Sequence, residues 1–387
     1  MKHVVLSTRC QQEIARGRIL LKDKDFQNKP LNDGFVHFQN AKGQFVAAGY
    51  LSKQNKGLGW VLSLEPIEWS NSFLVNCFQL ARDKRQAYFK DPETTAFRLF
   101  NQEGDGLPGL TIDVYGDFLL FTWYNSFIYQ NRDQIVASIQ NVCPDYLGAY
   151  EKLRFQGAPY ETGHLYGQSA PDVFTILENG VSYQVFLNDG WMTGIFLDQH
   201  VVRRDLVKGM AEGKRLLNLF SYTAAFSIAA IAGGAIETVS VDLAKRSREL
   251  SRAHFMANGF SLEGHSLIVM DTFEYLRYAA RKDLQFDIIV IDPPSFARNK
   301  KQVFSVAKDY HRLVAKALKV LAPKGQLILS TNAAQLSLEK FKQEIAAGMS
   351  GKAYQIEKVY RLPEDFPSYA QETTSNYLKV IKIRVEE

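Results

Sequence analysis

The chain of 387 residues contains only three cysteines, Cys10, Cys77 and Cys143, and none after Cys143. An odd number at wide spacing excludes a disulfide scaffold and any Cys-x-x-Cys metal site, and it fits reduced thiols. No apolar run approaches the roughly 18 residues of a membrane span. The opening Met1-Lys2-His3-Val4-Val5-Leu6-Ser7 lacks the apolar stretch of a signal peptide. A cytoplasmic protein without membrane contact is expected. A Walker-type Gly-Lys-Ser/Thr is also missing, as are internal repeats and low-complexity tracts, so no phosphate cradle of that kind is written into the chain.

What is present is ordinary globular material, 46% hydrophobic and 22% charged, with a length that suggests two or three domains. The net charge of +5 permits an anionic partner without requiring one. Basic residues crowd the start (Arg9, Arg16, Arg18, Lys22, Lys24, Lys29) and recur at Arg82, Lys84, Arg85 and Lys90. Each cluster is either a solvated face or a phosphate-binding surface. Arg16, Arg18, Arg82 and Arg85 are the candidates for the second role.

Three segments follow from the patterning. Residues 1–73 carry short alternating runs (34–38, 44–51, 59–64) broken by turn signals, which predicts a small barrel-like β domain. Residues 74–188 open on the basic helical stretch 71–89, read as a connector. They continue as an α+β domain with strands 97–100, 110–115, 118–123, 174–177 and 181–185, a helix over 131–141, and hairpin signals at Gly116-Asp117 and Asn179-Gly180. Residues 189–387 alternate apolar runs with long helical stretches, the pattern of β-α-β units on a parallel sheet. Seven strands are expected at 215–220, 238–241, 266–270, 286–291, 326–330, 354–360 and 377–384. The last two should form an antiparallel edge pair.

The chemistry-bearing residues sit where those parallel strands end. The first strand runs through Asn218 into Phe220-Ser221-Tyr222-Thr223, a small-residue turn that starts a helix and offers backbone N–H groups to a ligand. It has no Gly-x-Gly, so taken alone a plain β-α turn is the better reading of it. About 20 residues on, the second strand ends at Asp242, suited to accepting the two hydroxyls of a ribose. The third ends at Asp271, an adenine acceptor, a helix cap, or both. The fourth ends in Asp292-Pro293-Pro294-Ser295-Phe296. Two prolines fix the backbone and remove donors, so the carbonyls and Asp292 form an acceptor cluster suited to an amino group, with Phe296 placed to stack on a flat base. Upstream, a loop with Gly190 and Gly194 leads into Arg203 and Arg204, and is either a cover for a cofactor or an interdomain linker.

At these residues the chain resembles class I S-adenosylmethionine-dependent methyltransferases, and within them the bacterial ribosomal RNA large-subunit group that includes a PUA-containing cytosine C5 enzyme. Phe196-Leu197-Asp198-Gln199, Leu217 to Thr223, Val241-Asp242 and Asp292 to Phe296 carry the resemblance. Glu103 to Asp113 resembles the group's central domain, while the first segment lacks the usual Gly-His-Pro-Trp opening. The resemblance implies an α/β, Rossmann-like seven-stranded methyltransferase domain behind a PUA-like β-barrel and a central α+β domain. It also implies S-adenosylmethionine as cofactor, held by Phe196, Asp198, Gln199, Asn218, Phe220, Ser221, Tyr222, Thr223, Asp242, Asp271 and Asp292. RNA is the implied partner, 23S ribosomal RNA or a large-subunit precursor, and a homodimer is allowed.

Cytosine C5 chemistry needs a thiolate, which those relatives carry after the fifth strand; here that position reads Ser330-Thr331-Asn332. The Ser-x-Asn and Asp-Pro-Pro-Ser-Phe pair more resembles the guanine ring-nitrogen methyltransferase domain. Direct transfer to a nitrogen is therefore expected, with Asp292, Pro293, Pro294, Phe296 and Asn332 catalytic. The competing readings are cytosine C5 methylation and a catalytically silent RNA-binding factor.

Overall fold

The computed structural model describes residues 2–28, 32–54, 57–298 and 303–386; Lys29, counted in the first basic cluster, lies outside them. Alternation in the strands Gly34–Gln39, Phe45–Leu51 and Gly59–Ser63 turns Val36, Phe38, Ala47, Leu51 and Val61 inward. There they meet Cys10 and Ile14 of the helix Thr8–Ala15. Strand Lys2–Val5 pairs along one edge of this five-stranded sheet and Leu20–Leu21 along the other. An isolated antiparallel bridge from Leu6 to Phe26 draws the two edges together, as the expected barrel requires.

Helix α1 (Asn71–Lys84), capped by Ser70 Oγ at Phe73 N, leaves Leu80 exposed and buries Leu74, Cys77, Phe78 and Ala81. These residues pack on the central sheet beside helix α2 (Arg132–Val142). That sheet contains β1 (Ala96–Asn101), β2 (Leu110–Tyr115), β3 (Phe118–Trp123), β4 (Gly148–Leu153) and β5 (Thr162–Gly167), paired in chain order. Strands β4 and β5 were not foreseen, because their sequences, Gly-Ala-Tyr-Glu-Lys-Leu and Thr-Gly-His-Leu-Tyr-Gly, show neither an apolar run nor a clean alternation.

The two faces of the central sheet differ sharply. One carries Leu99, Ile112, Val114, Phe121, Trp123 and Leu153 into the core with α1 and α2. The other carries Arg98, Thr111, Asp113, Thr122 and Lys152, with cross-strand partners Arg98–Asp113, Thr111–Thr122 and Thr122–Lys152. This polar face is nevertheless covered, and all residues of β2, β3 and β4 are buried.

The C-terminal sheet has seven strands. They are β6 (Arg215–Leu219), β7 (Glu237–Asp242), β8 (His265–Val269), β9 (Phe286–Ile291), β10 (Leu321–Thr331), β11 (Tyr354–Tyr360) and β12 (Lys379–Val385). Their spatial order is β8-β7-β6-β9-β10-β12-β11, parallel except for β12, which pairs antiparallel on both sides. Helices α3 (Ala225–Ala232), α4 (Lys245–Ala257), α5 (Thr272–Arg281) and α6 (Val306–Ala317) join the first five strands, as the pattern predicts. The fifth strand begins earlier than expected, with an irregular register across Lys324, whose φ is 58°. The strand order reverses between β6 and β9, and a ligand crevice opens at such a switch point. The loop between β11 and β12 reaches back to the central sheet: Asn101 Nδ2 donates to Pro367 O (2.8 Å) and Arg98 N to Asp365 Oδ2 (2.9 Å).

Candidate active site

The turn after β6 departs from ordinary backbone. Phe220, Tyr222 and Ala224 have φ of 58°, 48° and 61°, the left-handed region that costs a non-glycine residue roughly 1–2 kcal/mol. The chain thus makes without glycine the turn that usually needs it, and its amides hold the turn itself, Ser221 N donating to Val241 O (3.0 Å) and Ala224 N to Ser221 O (2.7 Å). The Asp242 carboxylate holds the turn in place, accepting from Tyr222 N (2.9 Å), Ala244 N (2.8 Å) and Ser247 Oγ (3.0 Å).

The loop with Gly190 and Gly194 is stitched onto this turn. Thr223 Oγ1 donates to Gly194 O (2.7 Å), and Gly194 N donates to Tyr222 Oη (3.2 Å). Gly194 has φ of 100°, and a Cβ there would stand 2.5 Å from Gln184 O, so no other residue fits. Buried Arg203 spans Glu178 (Nε–Oε1 2.6 Å) and the Phe196 carbonyl (2.7 Å), fixing the end of the loop. The loop therefore belongs to the site and is not a linker.

Asp292 ends β9 with one carboxylate oxygen accepting from Gln199 Nε2 (2.7 Å). Burial pushes its pKa up to about 6, the Ser330 and Gln199 side chains pull it down, and Asp198 raises it further. Asp198 is itself raised by burial, against the phenol of Tyr377, which donates to its Oδ2 at 2.8 Å. Ser295 Oγ donates to Asn332 Oδ1 (2.7 Å), tying the Asp-Pro-Pro-Ser-Phe segment to the end of β10. Asp271 caps α5, its Oδ1 accepting from Phe273 N and Glu274 N, so the cap reading holds.

One cavity of about 540 Å³ gathers Phe196, Asp198, Gln199, Phe220, Ser221, Tyr222, Thr223, Asp242, Asp271, Asp292, Pro293, Pro294 and Asn332. Two predicted residues are not on its wall. Asn218 lies beneath the floor, buried inside β6 with its Nδ2 on Ser227 Oγ (3.2 Å), because its position in the strand turns it toward α3. Phe296 is 61% exposed on a short hairpin, Phe296–Arg298 with Val303–Ser305, and is absent from the cavity wall. The sequence reading missed Phe273 and Phe304, which supply apolar wall; nothing local marks them, since both look like core.

The phosphate-contact candidates also divide. Arg85 is fully buried and spent on Asp105 (Nη2–Oδ2 2.6 Å), Arg98 O, Ala81 O and Asp365 O, which removes it from any RNA surface. Arg18 is paired with both Glu13 and Asp25. Arg82 lies half-exposed over the Phe89 ring, and Arg16 is exposed.

The volume falls within the roughly 300–1,000 Å³ range of ligand pockets. Its lining holds the carboxylates of Asp198, Asp242, Asp271 and Asp292, while its one arginine, Arg203, is neutralised by Glu178. Negative walls and apolar Phe273, Phe304 and Leu243 fit a cationic nucleoside such as S-adenosylmethionine. Among the described residues no group of His, Cys, Asp and Glu is arranged to hold a metal ion, and no helix is long and apolar enough to cross a membrane.

Comparisons with known proteins agree with this geometry. The family model described as S-adenosylmethionine-dependent methyltransferase matches residues 150–382, and a PUA-like domain model matches residues 4–64. YwbD of Bacillus subtilis strain 168, which carries a ribosomal RNA large subunit methyltransferase name, is 43% identical over 88% of each chain. Ribosomal RNA large subunit methyltransferase I of Aeromonas hydrophila is 31% identical over 92% of each. The crystal structure of SMU.776 in complex with SAH superposes with a TM-score of 0.95 at 51% identity over the whole of both chains. The chain belongs to the S-adenosylmethionine-dependent methyltransferases, with a PUA-like domain at its N-terminal end.

Proposed function

We propose that the protein methylates a base of large-subunit ribosomal RNA by direct transfer to a nitrogen. Similarity to relatives named for that substrate, over about nine-tenths of their length, supports the RNA class. The cofactor supplies a methyl group on a positively charged sulfur. The choice of nitrogen rests on one observation: all three thiols are remote from the site. Cys10 lies in the core of the first sheet, Cys77 on α1 and Cys143 beyond α2, all buried. Burial pushes their pKa values up to about 12, 11 and 11, the reverse of an activated nucleophile.

A nitrogen lone pair needs no thiol, only in-line placement against the methyl group. Asp292, the Pro293 carbonyl and Asn332 supply the acceptors and donors that orient the base, and Gln199 holds Asp292 in position. Exposed Arg16 and half-exposed Arg82 offer phosphate contacts. The test is label transfer from methyl-labelled cofactor to unmodified large-subunit RNA, followed by nucleoside mass spectrometry. A methyl group on a ring or exocyclic nitrogen is expected. Labelled 5-methylcytidine would overturn the nitrogen assignment, and RNA that binds without taking label would favour a binding factor.

A further inference from the structure

A second cavity, of about 310 Å³, lies between the polar face of the central sheet and the cofactor cavity. The two share walls: Met192, Ile195, Phe196, Asp198, Tyr222 and Asn332 line both. Its far wall is the buried polar face, including Arg98, Thr111, Asp113, Thr122 and Lys152. Where two folded units pack together, an apolar contact is the stable solution, and buried charges are costly unless they serve a ligand or each other. Arg98 and Asp113 serve each other, with Nη2–Oδ2 at 3.2 Å.

The remainder is not so settled. Thr111 Oγ1 is buried with no hydrogen-bond partner among the described residues. Lys152 is 1% exposed, and burial lowers its pKa to about 8. It places two of its three N–H groups on Gly190 O (2.7 Å) and Met192 O (2.8 Å). At the rim, exposed Arg154 sits over the Trp191 ring with its guanidinium carbon 5.0 Å from the centroid, beside the half-exposed Phe196. The cavity thus offers a polar interior and an aromatic and cationic mouth, with Asn332 on the wall it shares with the cofactor cavity.

We propose that this cavity seats one nucleotide extruded from the RNA, its base passing Phe196 toward Asn332 and its phosphate held by Arg154 at the rim. The central domain then contributes directly to substrate choice. Unstacking a base exposes donors and acceptors that a polar wall can meet, and a flat ring that an aromatic mouth can stack. This assignment rests on the RNA-methyltransferase reading above and narrows it to a place.

The test uses the full chain with large-subunit RNA transcribed in vitro and labelled cofactor. Thr122→Phe fills the cavity from the central sheet at a residue that does not line the cofactor cavity, and Arg154→Ala removes the rim cation. Both variants should bind S-adenosylhomocysteine within about twofold of wild type. Arg154→Ala should raise KM for RNA about tenfold, and Thr122→Phe should lower kcat/KM by about a hundredfold or more. Should Thr122→Phe fail to fold, ultraviolet cross-linking of wild-type protein to the RNA gives an independent readout, with adducts expected on Trp191, Phe196 or Tyr124. Wild-type activity with unaffected variants, or cross-links confined to other surfaces, would overturn the cavity assignment alone. A wild type that binds S-adenosylhomocysteine yet labels no RNA would overturn this assignment and the RNA-methyltransferase reading together.

Discussion

Replacing Asp242 separates two roles of one carboxylate. In the structure it accepts from Tyr222 N, Ala244 N and Ser247 Oγ at 2.8 to 3.0 Å, pinning a turn whose residues sit at positive φ. Asp242→Ala leaves those donors in a half-buried site, so the fold should lose about 1–3 kcal/mol. If the same carboxylate also accepts two ribose hydroxyls, each charge-assisted bond contributes about 1.5–3 kcal/mol, and the sum predicts a loss of roughly a hundredfold to ten-thousandfold in cofactor affinity. Asp242→Asn keeps one acceptor oxygen and turns a donor NH2 toward either Tyr222 N or the Ala244 N and Ser247 Oγ pair, so it should cost stability as Asp242→Ala does while affinity still falls by about tenfold or more. Calorimetric titration with S-adenosylhomocysteine gives the affinities, and urea unfolding gives the stabilities. A folded Asp242→Ala variant with wild-type affinity would refute the ribose assignment and leave Asp242 a turn-holding residue only.

The raised pKa of Asp292, about 6, has two consequences of opposite sign. Because the folded state holds this proton more tightly than the unfolded chain, its contribution to stability is full below about pH 4 and is lost as pH rises through about 6. Single-turnover methyl transfer, which needs the carboxylate as acceptor, should instead rise with pH up to about 6 and then level; a flat profile in Asp292→Asn identifies the group. Replacing Cys10, Cys77 and Cys143 together by Ala should cost stability, since all three are buried, while leaving methyl transfer within a few-fold. A folded triple variant that binds cofactor but is inactive, or a cysteine adduct trapped with 5-fluorocytosine-containing RNA, would establish the carbon-5 route. Arg85→Ala leaves the buried Asp105 carboxylate with only Lys84 Nζ (3.1 Å) and Asn101 N (2.7 Å) and should destabilise the fold by about 1–3 kcal/mol. Its effect on the salt dependence of RNA binding should be nil, whereas Arg16→Ala should flatten the log–log slope by about 0.7–0.9; the reverse pattern would return Arg85 to the RNA surface.

The fold class was legible because it rests on local periodicity. Apolar runs alternating with helical stretches foretold the seven-stranded sheet, and the ends of those runs located Asp242, Asp271 and Asp292, since residues at the carboxyl ends of parallel strands share one edge whatever the loops do. The Asn179-Gly180 signal likewise became a hairpin turn with both residues at positive φ, because the constraint is carried within a few bonds.

Three matters were decided only by tertiary packing. Arg85 looks like any member of a basic helix end; what buries it is the β11–β12 loop, far away in the chain, whose Asp365 carbonyl completes its set of acceptors. Phe296 reads as a stacking residue from its motif, but a hairpin that leaves its ring in solvent removes it from the cavity wall. Strand β4 gave no periodic signal because it sends a charged residue to each face, Glu151 to Trp123 Nε1 (2.8 Å) on the core side and Lys152 to the polar cavity. Sequence patterning reports which face meets water. It is silent where each face of a strand takes a charged residue, and there the site was set by which units the folded chain brings together.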